Sequence, residues 1–561
     1  MNVVMPSTAP QQYQAAIRRS IQSPRHRRLD RGRRVLHPLT AICTVQAVLS
    51  LTLVWSNTAF TDEAYYLWAG HLEIAHWLHG ASVPQASLDK NLSGSPIFYP
   101  PLGALADSIG GLAAARILSL AVMLLATIFL YLTTSRLFGG MAAIAASALW
   151  ATSEPVIRLA FATYDPWSVF LTALAAWLAV QAGHRRQWRT LLVASAASLA
   201  LSNATAYSGV VIDPVLIAFA FLVWRRSMPT TRAALRAAMF TATLAGFFGL
   251  LMTASRSWSG IVFTVFGRSH SVFQGQNIAL VVNDIWKYSG FIMVLAVVGS
   301  FVAVAQKGYS GRLLVILFTC AGFVIPIAQI YERTAESLDK HLAYGLWFAA
   351  MAAAYGFSKL IQPVPAGRRA FATLCCAAVI AYPVINGLQL AQATYHIWAN
   401  SGDFIAAFRP VAAQVGGPFT LPGAGGQYDH IAQYYLPQGK EWIRWDNPGL
   451  SLDPAQGPQS SWSARYKRQL KSRDYGAVVL FYATTFSSAP GLSSSILLSP
   501  RSGPTDRQLL GLVGANSGEP GLPALTLALE TDSEYQLAAV GPYDSPHNYG
   551  IYAIWQKRMQ T

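Results

Sequence analysis

Long apolar segments recur along most of this chain, and they restrict its fold more than any other feature. Between Leu39 and Leu388 these runs are mostly about 15 to 21 residues long, and about 20 residues let a helix cross a bilayer. Only 12% of the residues are charged, whereas about a quarter is usual for a soluble domain. The pattern predicts an α-helical polytopic membrane protein with about eleven transmembrane helices. They lie at 39–59, 111–133, 140–153, 167–182, 191–207, 210–224, 237–253, 290–305, 313–330, 342–357 and 370–388.

The distribution of basic residues predicts how these helices are oriented. Cytoplasmic loops retain Lys and Arg, and residues 1–38 form a basic tail that holds eight arginines between Arg18 and Arg34. If this tail is cytoplasmic, 21 of the chain's 41 basic residues lie inside the cell. Of the 13 acidic residues before residue 390, only Asp30 then lies inside. Anchoring at the membrane explains the net charge of +16, so a nucleic-acid partner is not needed.

The composition changes after the eleventh apolar segment, which separates the chain into a transmembrane domain, 39–388, and a tail domain, 389–561. The apolar run at 474–481 is typical of a buried strand, and 535–540 and 550–555 indicate a closing strand pair. Pro418–Leu421 is strand-like, and Tyr428–Tyr435 is a plausible short helix. We expect a soluble α/β or α+β domain, which an odd number of spans places outside the cytoplasm.

Two adjacent carboxylates, Asp62 and Glu63, follow the first apolar segment within an outer loop at 60–110. At a membrane boundary such residues are costly unless they are solvated or paired. One interpretation is a solvated helix end or a salt bridge that orients the loop. The other is catalytic, because a carboxylate in a low dielectric can have its pKa tuned for proton abstraction.

The order of motifs around this pair resembles a known family. After Asp62-Glu63 come Tyr99-Pro100-Pro101-Leu102 and then Ala114-Ala115-Arg116-Ile117-Leu118. This order resembles the start of GT-C glycosyltransferases that use lipid-linked sugars, such as protein O-mannosyltransferases and the lipid A aminoarabinose transferase. The resemblance implies an integral membrane enzyme, in a bacterial plasma membrane, that transfers a sugar with inversion. The partners would be the bilayer, a polyprenyl-phosphate sugar donor and an extracytoplasmic glycan, lipid or protein acceptor.

The same resemblance implies roles for individual residues. Asp62 is the expected base, with Glu63 beside it as the second catalytic acid. Asp165 would bind the acceptor or a metal, although Asp165-Pro166 also fits a helix start. Separately from the resemblance, the basic pair Lys340-His341 lies outside against the positive-inside bias, which calls for a negative ligand such as the donor phosphate. Arg256, Arg268 and Lys287 are weaker candidates for the same role, and Arg116, near the outer end of the second apolar segment, completes the phosphate-binding set.

Several of these residues have structural alternatives. Lys340 and His341 also fit a membrane anchor, and Arg116 could instead pair with Asp107 or Glu154. The residues Tyr99, Pro100 and Pro101 shape the loop. In the aminoarabinose transferase a Lys precedes the proline pair and meets the phosphate, so with Tyr99 here that contact is missing.

Other functional classes stay open on the sequence alone. No cofactor is certain, and a divalent cation is an open option. The chain could be a transporter or flippase for a lipid-linked intermediate, which would favour repeated halves and acidic residues near mid-bilayer. It could also be a non-catalytic scaffold of the cell envelope. The absence of a visible repeat and the acids at one face favour the transferase.

The orientation can be tested with a fluorescent reporter that folds only in the cytoplasm, fused after Thr561. We expect a dark fusion, because the loop charges place the tail domain outside. The same reporter at the N-terminus should be bright and serves as the control. A bright C-terminal fusion would place the Asp62 loop and the tail domain on opposite sides of the membrane.

Overall fold

A computed structural model describes residues 24–85, 88, 91–267, 276–306, 311–335, 337–361, 369–394, 398, 400–415, 418–422, 427–436, 462–484, 521–544 and 549–558. Most of the predicted basic tail lies outside the described residues, as does Arg268.

Helices account for nearly all of the N-terminal two-thirds of the described chain. In chain order they are α1 Pro24–Val54, α2 Thr61–His79, α3 Tyr99–Phe138, α4 Gly140–Ala151, α5 Glu154–Arg158, α6 Asp165–Ala182, α7 Trp188–Thr205, α8 Asp213–Arg225, α9 Thr230–Ala254, α10 Trp258–Val262, α11 Ile278–Ile285, α12 Phe291–Ala305, α13 Arg312–Glu332, α14 Leu338–Ile361 and α15 Arg369–Thr394. A 3₁₀ turn, Tyr207–Ile212, leads into α8, and π turns at Phe263–Gly267 and Trp286–Gly290 follow α10 and α11.

Every one of the eleven predicted segments coincides with a helix in this list. Five helical stretches among the described residues are long and apolar enough to cross a membrane: Tyr99–Phe138, Tyr207–Arg225, Thr230–Ala254, Ile278–Ala305 and Arg312–Glu332. Three shorter apolar helices lie at Pro38–Val54, Gly140–Ala151 and Trp258–Gly267. The helical fold class is therefore confirmed, and the number of eleven crossings stays a prediction.

Two boundaries differ from the sequence prediction in an informative way. The first segment was expected to run to residue 59, but α1 ends at Val54 and α2 begins at Thr61. Asp62 and Glu63 therefore lie in the first turn of a helix rather than in a loop. The second segment, predicted to start at residue 111, is the distal part of α3, which kinks at Gly110 and Gly111, the latter with φ +67°.

The segment predicted to be an outer loop contains helix α2, which lies close to α3. At Gly70 of α2, an added Cβ would lie only 1.9 Å from the carbonyl oxygen of Pro100. A residue with any side chain at this position would force the two helices apart. The proline pair at the start of α3 and this glycine thus fix how α2, which carries the acidic pair, is seated on α3.

The tail domain contains a mixed sheet flanked by helices. Its described elements are α16 Gly402–Gln414, β1 Phe419–Thr420, α17 Gln427–Tyr435, α18 Trp462–Arg473, β2 Ala477–Thr484, α19 Leu522–Glu530, β3 Tyr535–Asp544 and β4 Tyr549–Lys557. The strand order is β1-β2-β4-β3, with β1 parallel to β2 and the other pairs antiparallel. The predicted strands near 474–481, 535–540 and 550–555, and the helix at Tyr428–Tyr435, are therefore present.

Alternate residues of β2 enter two different hydrophobic clusters, which shows that both faces of the sheet are covered. Val478 and Leu480 pack with α18 and α19 on one face. Val479 packs on the other face with α16 and α17, in a cluster that also contains Ala59 and Ala64. Successive residues of a strand point to opposite faces, and the face of β2 that carries Val479 packs against the start of α2.

Candidate active site

Glu63 and Arg116 form a buried ion pair beneath the start of α2. The Arg116 side chain is 1% exposed and the Glu63 side chain 0%. Arg116 Nε donates to Glu63 Oε1 at 2.8 Å, and its Nη2 donates to Oε2 at 2.6 Å. This bidentate geometry is the strongest form of a carboxylate–guanidinium contact.

The remaining hydrogen bonds of this pair connect four stretches of backbone. Arg116 also donates to the carbonyl oxygens of Val54 at 3.1 Å, Asn57 at 3.0 Å and Thr58 at 3.2 Å. Glu63 Oε1 accepts the N–H of Ala162 at 2.8 Å, and Oε2 accepts that of Phe60 at 3.3 Å. The pair therefore accepts or donates hydrogen bonds at three places: it caps the last carbonyl groups of α1, it caps the N-terminus of α2, and it binds the backbone of the segment before α6.

This arrangement changes the predicted roles of both residues. Every acceptor direction of the Glu63 carboxylate has a donor, and the guanidinium donors of Arg116 are directed at protein oxygens. The structure pairs Arg116 with Glu63 rather than with Asp107 or Glu154. We therefore assign Glu63 and Arg116 to positioning the site, and we do not keep the catalytic and phosphate-binding roles that the sequence suggested.

Asp62, the neighbour of Glu63, points into a second cluster of charges. Lys340 Nζ, at the start of α14, donates to Asp62 Oδ2 at 2.7 Å and lies 3.5 Å from Asp165 Oδ2. His341 Nε2 lies 3.6 Å from the other oxygen of Asp165. The Asp165 side chain is 0% exposed, whereas 36% of the Asp62 side chain reaches solvent. Four predicted residues, from three separate segments of the sequence, are thus brought together.

Aromatic rings and a second layer of charges hold Lys340 in this position. Its ammonium lies 5.8 Å from the centre of the Tyr164 ring, which stacks on Tyr66 at 4.6 Å. Asp339 accepts the backbone N–H of Lys340 at 2.8 Å and forms an ion pair with Arg158 of α5. The sequence did not identify this second layer, because Arg158 is distant in the chain and no local pattern marks it.

Glu154 extends this second layer into the interior. It is 2% exposed and accepts a hydrogen bond from Thr394 Oγ1 at 3.1 Å. Burial, followed by the charge of Asp339, raises the pKa of the Glu154 carboxyl to about 7, although Arg158 acts in the opposite direction. Glu154 therefore belongs to the support of the site rather than to its reacting surface.

The other predicted residues lie around this centre. Tyr99 is buried in an aromatic cluster with Tyr65, Tyr66 and Tyr164, and its role in shaping the loop stays a prediction. Pro100 and Pro101 begin α3 and are buried. Arg256 is exposed just after α9, in a left-handed conformation with φ +53°. The ion pairs that join the cluster run through Lys340 and His341, and a phosphate-binding role for Arg256 stays a prediction.

A divalent cation does not fit the donor set of this cluster. The described residues contain no group of three or more His, Cys, Asp or Glu side chains that could hold a metal ion. Between Asp62 and Asp165, where a cation would bridge the two carboxylates, the ammonium of Lys340 is already present. We therefore derive no step through a metal.

Comparison with known proteins confirms the resemblance that the sequence suggested. Residues 102–256 match a family model described as dolichyl-phosphate-mannose-protein mannosyltransferase. This segment contains Arg116 and Asp165 and ends at Arg256. No curated protein matches the chain.

The fold is similar to those of solved membrane glycosyltransferases of the GT-C class. The apo oligosaccharyltransferase of Archaeoglobus fulgidus is 13% identical, with a TM-score of 0.51 over 79% of this chain and 69% of that one. The same protein in complex with Zn and sulfate is 14% identical, with a TM-score of 0.51 over 91% and 72%. ArnT from Cupriavidus metallidurans, bound to undecaprenyl phosphate, is 13% identical, with a TM-score of 0.48 over 92% and 98%.

The assignment of Glu63 predicts a loss of stability when its charge is removed. Glu63→Gln leaves the Arg116 charge buried without a counter-ion, and breaking a buried pair in this way costs about 3–5 kcal/mol. We expect a clear decrease in the thermal unfolding temperature in detergent. Glu534→Gln, at an exposed site in the tail domain, is the matched control. An unchanged unfolding temperature for Glu63→Gln would contradict the positioning role.

Proposed function

We propose that this protein is an integral membrane glycosyltransferase of the GT-C type. It transfers a sugar from a polyprenyl-phosphate donor to an acceptor hydroxyl on the outer face of a bacterial plasma membrane, with the N-terminus in the cytoplasm. The observation that carries this proposal is the contact of Asp62 with Lys340 beside the buried Asp165. A proton acceptor and a cation for a leaving phosphate are the two groups that this transfer requires.

Asp62 is the base in this mechanism. The acceptor oxygen attacks the anomeric carbon while its proton passes to the Asp62 carboxylate, and the bond from that carbon to the phosphate oxygen breaks. The departing lipid phosphate retains the electron pair, and the sugar inverts in one displacement. Asp62 suits this role because its side chain is partly exposed, whereas Glu63 is enclosed. Base assistance is worth about 10²- to 10⁴-fold in rate.

Lys340 and His341 are the donors for the phosphate in this proposal. A charge-assisted hydrogen bond from an ammonium stabilises a phosphate strongly, and Lys340 is already oriented by Asp62, Asp165 and Tyr164. An ammonium has three N–H groups, so Lys340 can add a phosphate oxygen to these contacts or exchange one of them. Asp165, next to His341, would then orient the sugar or the acceptor.

The solved relatives support a lipid-linked donor. The Archaeoglobus fulgidus oligosaccharyltransferase has been solved in complex with dolichol-phosphate and an inhibitory peptide, and it is 13% identical to this chain with a TM-score of 0.50. A transporter or a scaffold would not require a base held beside a cation at the outer ends of the helices. The glycosyltransferase therefore explains more of the site than either alternative.

The proposal predicts that Asp62→Asn abolishes transfer while folding is retained. The amide keeps the shape and still accepts a hydrogen bond from Lys340, but it cannot take a proton. We expect kcat to decrease by about 10²- to 10⁴-fold, measured with radiolabelled polyprenyl-phosphate mannose and membranes of the source organism as the acceptor pool. Asp474→Asn, at an exposed site in the tail domain, is the control. Near wild-type turnover by Asp62→Asn would remove the main support for the enzyme.

A second prediction concerns donor binding. Lys340→Ala should weaken the binding of polyprenyl phosphate to the protein in detergent by about 10- to 150-fold, because one charge-assisted bond is worth about 1.5–3 kcal/mol. Lys340→Arg, which keeps the charge, should recover part of this affinity. Lys359→Ala, at the other end of α14, is the control. Unchanged binding by Lys340→Ala would transfer the phosphate role to Arg256 or Arg268.

A further inference from the structure

Helix α17 belongs to the tail domain by sequence but lies directly against α2. Two consecutive tyrosines fix it there. The Tyr435 hydroxyl accepts the backbone N–H of Ala59, just before α2, at 2.7 Å. The Tyr434 hydroxyl donates to Asp107 Oδ1 of α3 at 2.6 Å, and the other oxygen of Asp107 lies 2.7 Å from His71 Nε2 of α2. Two hydrogen bonds, one to the segment before α2 and one to α3, therefore fix the position of α17 against α2.

The seating of α17 brings His430 to the acidic end of α2. His430 and Tyr434 are four residues apart, so they lie on the same face of the helix. The His430 ring is 4.1 Å from the ring of Tyr65, which stacks on Trp68 at 5.5 Å. Tyr65 follows Asp62 by three residues, so the two lie on the same face of α2. The imidazole thus packs against the face of α2 that carries the proposed base.

The imidazole has hydrogen-bonding capacity that the protein does not use. Its Nδ1 atom is buried and has no hydrogen-bond partner among the described residues. Burial lowers the pKa of His430 to about 4, although Gln433 and Asp62 act in the opposite direction. The ring is therefore neutral near pH 7 and does not compete with Lys340 for Asp62. A buried polar atom of this kind normally has a partner, and a neutral imidazole can bind a hydroxyl as donor or acceptor.

We propose that His430 is an acceptor-binding residue that the tail domain contributes to the site. Its Nδ1 atom would hold a polar group of the acceptor, so that the reacting hydroxyl lies against Asp62. This inference rests on the proposed function and specifies how residues 389–561 take part in it. It places acceptor recognition on α17 and α2, whereas Lys340 and His341 serve the donor from α14.

A purely structural role makes a different prediction, and one substitution separates the two. If His430 only packs α17 on α2, a ring without nitrogen should replace it. His430→Phe keeps an aromatic ring against Tyr65 but removes both nitrogen atoms. His430→Gln loses the ring but retains a donor and an acceptor. His79→Phe, at an exposed position at the end of α2, is the matched control.

The experiment uses the full-length protein in membranes with radiolabelled polyprenyl-phosphate mannose. Label transferred to source membranes is compared with label released as free mannose, for which water is the acceptor. For His430→Phe we expect the ratio of transfer to release to fall about three- to tenfold, which is the loss of one neutral hydrogen bond. Binding of polyprenyl phosphate and the unfolding temperature should stay at wild-type values, and His430→Gln should recover part of the ratio.

The outcomes separate this inference from the proposed function. An unchanged ratio for His430→Phe would overturn it, and so would an equal loss of transfer, lipid binding and unfolding temperature, because either result indicates packing alone. If His430→Phe does not fold, His430→Gln and His430→Ala are measured in its place. An unchanged ratio of transfer to release in both folded variants then overturns the inference. If Asp62→Asn is inactive while His430→Phe is normal, only this inference fails. If Asp62→Asn remains active, the proposed function itself fails.

Discussion

The ion pair between Glu63 and Arg116 is the interaction on which the rest of the site depends. It is buried, and its hydrogen bonds reach the end of α1, the link to α2, the start of α2 and the segment before α6. Helix ends leave carbonyl and N–H groups without partners, and here one guanidinium and one carboxylate satisfy several of them. Removing two charges from water costs free energy that their attraction does not always offset. The main contribution of this pair is therefore that it fixes these segments relative to one another.

The ion pair between Glu63 and Arg116 explains why two adjacent acidic residues have different surroundings. Consecutive residues of a helix point about 100° apart, so Glu63 is directed into the protein while Asp62 reaches the surface beside Lys340. The enclosed carboxylate fixes the backbone from which the exposed carboxylate projects. A base must be held in a defined position to act on an acceptor hydroxyl. A charged side chain at the end of a helix that is not anchored would not be held in this way.

Much of the helical framework and part of the site could be predicted from the sequence. The apolar segments coincide with helices because span length is set by the bilayer, and Asp62, Asp165, Lys340 and His341 do meet. A salt bridge that orients the loop was one interpretation of the acidic pair, but its partners could not be predicted, because the spacing of charges 53 residues apart does not show which of them pair. The contact of α17 with α2 depends on tertiary packing across more than 300 residues, for which no local pattern exists.

The formal charges of the cluster limit how a donor can bind. Two carboxylates, Asp62 and Asp165, face one ammonium, Lys340, so the cluster carries one negative charge before any ligand arrives. A lipid-linked sugar phosphate brings another negative charge and gains more as it leaves, and like charges at short range repel strongly in a low dielectric. A second cation is therefore needed close to the phosphate. His341 is the nearest candidate, because its Nε2 atom lies 3.6 Å from Asp165, the carboxylate that also faces Lys340.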